Sequence, residues 1–250
     1  MGSFQKILLL IALSITLSLA KKKRHSTVEV DSGPFGADYD ILMNPSFKNF
    51  EEGIDKSNHL MFLYVFDSKS DKSSQMNEQI LKPVMDELKG YLKFYAFDCQ
   101  NEEVQNNKDR FKMCENEEHT PFFQLIKPPE LKINPYTKQP MQAQHIAYPE
   151  REVTQQKVKN FILSNIPDFS TVIDSKSKLE DFKSDDDKDI NKVILFSKKS
   201  KVAPIYKALT DEFRDLIRFG FISSDQNDLI KSFNVTKYPT VMVFKSYDVD

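Results

Sequence analysis

The chain has 250 residues, a formal net charge of −2 at pH 7 and 40% hydrophobic residues, the make-up of an ordinary globular protein with room for one large domain or two modest ones. So small a charge gives no field to draw the chain to nucleic acid or to an anionic membrane. Only 6 residues are glycine, and neither GxGxxG nor GxxxxGK[ST] occurs, so Gly-rich phosphate-cradling loops are nearly excluded.

Lys6 precedes an apolar stretch over residues 7–20 that closes on Ser18-Leu19-Ala20. A basic residue, an apolar run and a small-x-small end read as a secretory signal peptide, residues 1–20. At about 1.5 Å per residue the run spans roughly 21 Å, short of a ~30 Å hydrocarbon core. The rival is an uncleaved signal anchor, because Lys21-Lys22-Lys23-Arg24 would hold its side in the cytoplasm; a membrane enters only in that case. The location expected is the endoplasmic reticulum lumen or the exterior. Asn234-Val235-Thr236 is then a glycosylation sequon, and Cys99 and Cys114 can form one disulfide. His25, His59, His119 and His145 show no ligand spacing, and the acidic run from Asp185 to Asp189 lacks EF-hand spacing. No metal site and no cofactor are expected.

Residues 21–45 have no sustained period and read as an extended or disordered lead-in. Pro45-Ser46 begins a short helix, with Phe47, Phe50 and Ile54 at helical spacing. Residues 60–66 form a continuously apolar strand that breaks into a corner of Asp, Ser and Lys. A helix over 74–89 carries Met76, Ile80, Val84 and Leu88 on one face and ends at Gly90, with a kink expected at Pro83. A strand follows at 91–97, a polar helix at 102–112 and a strand at 121–126. After a loop with Pro128, Pro129, Pro135 and Pro140 come a weaker strand at 142–148 and a helix at 154–165, stopped by Pro167. The order then repeats: helix 177–183, strand 192–196, helix 202–214, strand 217–222, helix 225–233 and strand 240–244. Alternation of this kind argues α/β layers with parallel strand pairs.

In both copies a strand opens on proline, at Thr120-Pro121-Phe122 and Tyr238-Pro239-Thr240, the one strand position where a missing N–H does no harm. Phe233-Asn234-Val235-Thr236-Lys237-Tyr238-Pro239-Thr240 resembles the (Y/F)-G-V-x-x-(Y/F)-P-T block of protein disulfide isomerases. Leu88-Lys89-Gly90 with Asp98-Cys99, and the closing stretch from Phe161 to Pro167, resemble the same family. The resemblance implies two tandem thioredoxin-like domains, each a mixed sheet flanked by helices, at 46–168 and 171–250. It also implies cis-prolines at Pro121 and Pro239. The second copy stops just after its Pro-led strand, where the fold needs another antiparallel strand and a closing helix. It is read as truncated, unless a partner completes the sheet.

The family places Cys-x-x-Cys at the start of the helix after the central strand, because its chemistry needs an exposed thiolate at a helix N-terminus and a resolving thiol one turn on. Here the slots fall at Ser70-Asp71-Lys72-Ser73 and Ser200-Lys201-Val202-Ala203. Neither holds a cysteine, and a hydroxyl cannot exchange a disulfide. Ser70 and Ser73 as nucleophiles would need a base and an oxyanion site; the plainer role is capping, with Ser73 or Ser74 as N-cap. By the family fold Cys99 lies at a strand end and Cys114 in the loop before Pro121, near enough for a structural disulfide, with free thiols or a displaced redox pair as alternatives. The expectation is a redox-inactive protein disulfide isomerase-like chaperone or adaptor binding polypeptides at Phe122 and Tyr238, in a groove left open by the missing motif. The alternatives are a thiol-disulfide oxidoreductase using Cys99 and Cys114, or a structural subunit of a larger complex.

Overall fold

A computed structural model describes residues 41–43, 59–107, 111–114, 120–129, 136–138, 141–184 and 190–245. The apolar run at residues 7–20, the basic cluster 21–24, the helix expected from Ser46, His25, His119, Pro135, Pro140 and the acidic run 185–189 lie outside them.

The central strand of the first sheet is β2 (Met61–Phe66), and every one of its residues is buried. Burial on both faces is what an unbroken apolar run encodes. Because successive side chains alternate, Phe62, Tyr64 and Phe66 enter one core and Met61, Leu63 and Val65 enter the other. On one side β2 pairs in parallel with β3 (Lys93–Asp98), and β1 (Ile41–Met43) pairs in parallel with β3 beyond it. On the other side β2 pairs antiparallel with β4 (Phe122–Lys127), and β4 with β5 (Gln144–Ala147). The order is β1-β3-β2-β4-β5. The lead-in expected over 21–45 therefore contains a sheet strand at its end.

One face carries α1 (Asp71–Met76), which runs through a π-helical turn at Asn77–Leu81 into α2 (Lys82–Glu87). Pro83 does not break this helix; the widened turn sits directly before it. Gly90, at φ +81°, turns the chain into β3, a left-handed conformation that glycine adopts without steric cost. The polar helix expected over 102–112 is shorter, α3 (Glu102–Asn106), with a separate 3₁₀ turn at Lys112–Cys114. Helix α4 (Gln155–Asn165) packs Val158, Phe161 and Ile162 into the same core as Phe62 and Leu125. Its N-cap Thr154 accepts from the Lys157 N–H at 3.3 Å.

The second sheet comprises β6 (Thr171–Val172), β7 (Asn191–Ser197), β8 (Ile217–Ser223) and β9 (Thr240–Phe244), ordered β6-β8-β7-β9. Three helices accompany it: α5 (Lys176–Ser184), α6 (Pro204–Glu212) and α7 (Asn227–Ser232). Here too the outer strand is parallel to β8, β7 is parallel to β8, and β9 is antiparallel to β7. Its first four positions thus repeat those of the first sheet.

The two domains touch through α6. Ala208 belongs to the core cluster of Phe62 and Tyr64, the Leu60 N–H donates to Asp211 Oδ2 at 2.8 Å, and the Phe169 N–H donates to Thr210 Oγ1 at 3.0 Å.

Candidate functional site

The corner between β2 and α1 is where this topology puts the chemistry of redox members, and it is closed by its own hydrogen bonds. The Lys69 N–H donates to Asp67 Oδ1 at 2.8 Å and the Ser70 N–H to the Asp67 carbonyl at 3.0 Å. Asp98 Oδ1 accepts from the N–H of Ser68 and of Gln100 at 3.1 and 3.0 Å, and Gln100 Nε2 donates to Asp67 Oδ2 at 2.9 Å. Asp67 and Asp98, at the ends of neighbouring strands, thus serve as acceptors for loop amides.

Ser70 occupies the N-cap position, with extended backbone and no side-chain cap bond. The expected N-cap at Ser73 or Ser74 is corrected: the helix begins three residues earlier, at Asp71. Ser73 lies one turn inside it, fully buried, and its Oγ accepts from the Asp67 N–H at 3.2 Å. Burial pushes the Tyr64 phenol well up, and the Ser73 side chain offsets part of that. Ser70 thus stands at the helix mouth and Ser73 beneath it, the two positions where the resemblance expects a reactive and a resolving thiol. Asp71 in the first turn favours the helix dipole, but would oppose a thiolate beside it.

The second slot shifts. Ala203 is the N-cap of α6 and Pro204 its first residue, so Ser200 precedes the helix. By helix position the counterparts of Ser70 and Ser73 are Ala203 and Tyr206. Tyr206 is buried, and its hydroxyl donates to the Gly220 carbonyl at 2.8 Å and lies 3.3 Å from that of Val193. The phenol thus joins two strands, β7 and β8.

The Thr120–Pro121 and Tyr238–Pro239 peptide bonds are both cis. Thr120 and Pro121 are buried and Phe122 half-buried, packed against the cluster of Met61 and Phe97. The open groove expected at Pro121 is therefore corrected: the proline is covered. Pro239 is exposed, and Tyr238 is half-buried against the core of the second sheet.

Cys99 and Cys114 are bonded, with Cα atoms 5.5 Å apart. Cys99 is only 5% exposed, and its N–H donates to the Phe66 carbonyl at 2.8 Å, so the bridge sits behind the β2–α1 corner. It ties the end of β3 to the turn that follows Phe111, whose ring lies 5.2 Å from that of Phe97. Asn234 is exposed at the end of α7, with φ +52°.

Among the described residues no group of three or more His, Cys, Asp or Glu could hold a metal ion, and no helix is long and apolar enough to cross a membrane. Pro128 is buried. Pro129 lines a cavity of about 730 Å³ with Phe169, Val172, Arg214 and Arg218; the Arg214 guanidinium stands 4.8 Å from the Phe169 ring centre. Sequence reasoning missed Tyr206 and Asp211, whose partners are backbone groups that no local pattern reveals.

A strand order with the second strand central, parallel to the third and antiparallel to a proline-led fourth, occurs twice. Both domains are thioredoxin-like. No family model matches the chain, and a search of the curated proteins finds no match. Among solved structures it is similar to ERdj5 in crystal form II (15% identity, TM-score 0.48, 83% of this chain and 26% of that one). It is similar also to the first two thioredoxin domains of Saccharomyces cerevisiae Eps1p (12% identity, TM-score 0.31, 81% of this chain and 85% of that one). The third is zinc-bound human ERp44 (11% identity, TM-score 0.32, 82% of this chain and 56% of that one). The chain spans about a quarter of the ERdj5 chain. The fold assignment rests on the topology and not on these scores.

Proposed function

We propose that this chain is a redox-inactive, protein disulfide isomerase-like protein of the secretory pathway that binds polypeptides without changing their disulfides. The observation that carries the reading is the β2–α1 corner. Its two helix-mouth positions hold Ser70 and Ser73, and Ser73 is buried and engaged by the Asp67 N–H. Disulfide exchange needs a thiolate that can reach a substrate disulfide, and a buried hydroxyl meets neither condition.

The displaced pair is a poor substitute. Attack on the half-buried Cys114 sulfur would expel a thiolate at Cys99, a site 5% exposed in an apolar cluster with Val65 and Phe97, where burial disfavours the charged form. The apolar stretch at residues 7–20 and the bonded cysteines support a secretory location.

On this reading the polypeptide contact is the exposed Pro239 with the half-buried Tyr238, and Phe122 contributes less because its neighbour Pro121 is covered. Titration of a fluorescent unfolded peptide against wild type, Tyr238→Glu and Phe122→Glu tests this. Weakened binding in Tyr238→Glu, with its fold intact by circular dichroism, is the expected result; wild-type affinity in both variants would overturn the assignment. Insulin reduction by the wild-type protein that disappears in Cys99→Ser would overturn the redox-inactive reading.

A further inference from the structure

The contact between the two domains is built around a buried acid. Asp211, in the last turn of α6, is 3% exposed. Its Oδ2 accepts the Leu60 N–H at 2.8 Å, across 151 residues of sequence. Leu60 stands just before the first residue of β2, and its carbonyl already accepts from the Lys93 N–H at 3.1 Å. The carboxylate therefore takes the place of a neighbouring strand. Its other oxygen, Oδ1, has no hydrogen-bond partner among the described residues.

Charged and titratable groups reach this point from every side. His59 comes from the approach to β2, and Lys93, Lys89 and Tyr91 from β3 and the turn before it; all line a cavity of about 310 Å³ between the domains. Glu212 follows on α6, with Oε2 3.8 Å from His59 Nδ1 and Oε1 3.7 Å from Lys93 Nζ. Arg214 lies beyond the helix. One turn earlier Lys207 Nζ stands 3.7 Å from Asp168 Oδ2 in the connecting segment.

An ionised carboxylate with one oxygen left unbonded is costly to bury, and the larger part of that cost, the buried charge, is removed when it takes up a proton. We propose that the contact of α6 with the start of β2 is an acid-tightened latch, in which protonation of Asp211 below neutral pH holds the two domains together more firmly. The neutral carboxyl still accepts the Leu60 N–H through Oδ2, so docking is strengthened rather than broken.

The direction follows from linkage. Burial raises the docked Asp211 carboxyl above the ordinary carboxylate range, with the Leu60 N–H, His59 and Arg214 offsetting part of the rise and Glu212 adding to it. Undocked, the group returns to water and its ordinary value. The docked form holds more protons, so the stabilisation is complete below the undocked pKa and is lost as pH rises through the docked one.

The test is small-angle scattering on the full chain, with nitroxide distance measurements between the domains, from about pH 7.5 to about pH 4.5. The docked-to-undocked ratio is expected to rise on acidification, by up to roughly tenfold for each unit by which docking raises the carboxyl pKa. Asp211→Asn keeps an acceptor for Leu60 and cannot ionise, so its ratio should not change with pH; His59→Gln should keep most of the rise. Amide exchange of Leu60 in the wild-type protein, corrected for intrinsic rates, gives a reading that needs no variant to fold, and its protection should grow as pH falls. A wild-type chain that loosens on acidification, an Asp211→Asn profile like the wild type, a rise lost in His59→Gln, or constant Leu60 protection would each overturn the latch.

Discussion

Gln155 Nε2 donates to the backbone carbonyl of Gln79 at 2.7 Å, 76 residues apart in sequence. In an α-helix that carbonyl would accept from residue 83, but Pro83 has no N–H to give. The widened turn at Asn77–Leu81 and the amide from α4 together accommodate the proline. Gln155→Ala is expected to cost about 0.5–1 kcal/mol in urea denaturation, as for a single neutral hydrogen bond. In a Pro83→Ala background, where the helix regains its own donor, the same change should cost close to nothing. Equal costs in the two backgrounds would separate Gln155 from the proline.

Gly220 sits where β8 passes beneath Ile173. A Cβ there would lie 2.8 Å from Ile173 Cδ1, 3.1 Å from Phe182 Cζ and 3.2 Å from Ile194 Cγ1. Gly220→Ala should destabilise by about 1–3 kcal/mol through overpacking. Ile173→Val deletes the nearest methyl, so the double variant should recover part of the loss in thermal melts. A Gly220→Ala protein as stable as wild type would mean that Ile173 moves aside at no cost.

What could be read in the sequence was the long and periodic. The run from Leu60 to Phe66 announced a strand buried on both faces, and Val158, Phe161 and Ile162 marked the inner face of α4. Strands β1 and β6 could not be found, because Ile41–Met43 and Thr171–Val172 are too short for a period and exist through pairing with β3 and β8. The start of α1 lies earlier than its pattern predicts because its first turn is polar, and nothing local shows that Ser73 turns inward to the Asp67 N–H. Counting residues alone puts the second slot three residues early, whereas Pro204 fixes where α6 begins. Asp211 reads as one more acid on a helix surface; its partner is a backbone N–H in the other domain.

The Cys99–Cys114 bridge closes a loop with a sequence separation of 15, for which chain entropy predicts about 3 kcal/mol of stabilisation. Cys99→Ser should lower stability by roughly that amount and leave thermal unfolding insensitive to dithiothreitol, while wild-type unfolding should shift downward with the reductant. Insulin reduction should stay at background in both proteins.

Asn234 is exposed in a left-handed turn that asparagine tolerates better than most residues, and Thr236 beside it is exposed as well. Expressed in eukaryotic cells with its N-terminal segment, the protein should run larger on a gel and lose the excess on endoglycosidase treatment. Asn234→Gln and Thr236→Ala should each abolish the shift. A wild-type protein that never gains mass in such cells would remove the support this sequon gives to a secretory location.

The Ser70 and Ser73 positions allow the missing chemistry to be put back. Ser70→Cys with Ser73→Cys would set one thiol at the mouth of α1 and the other a turn inside, the spacing that thiol exchange uses. The expected outcome is a new disulfide, seen as a second pair of hydrogens lost in intact mass, and weak insulin reduction, weak because Asp71 opposes the thiolate. Ser73→Ala alone should cost about 1–2 kcal/mol, since the Asp67 N–H loses its acceptor beneath the surface. If the double variant neither forms the disulfide nor reduces insulin while remaining folded, the corner differs from an active one by more than two sulfur atoms, and its loop bonds through Asp67 and Asp98 become the reason.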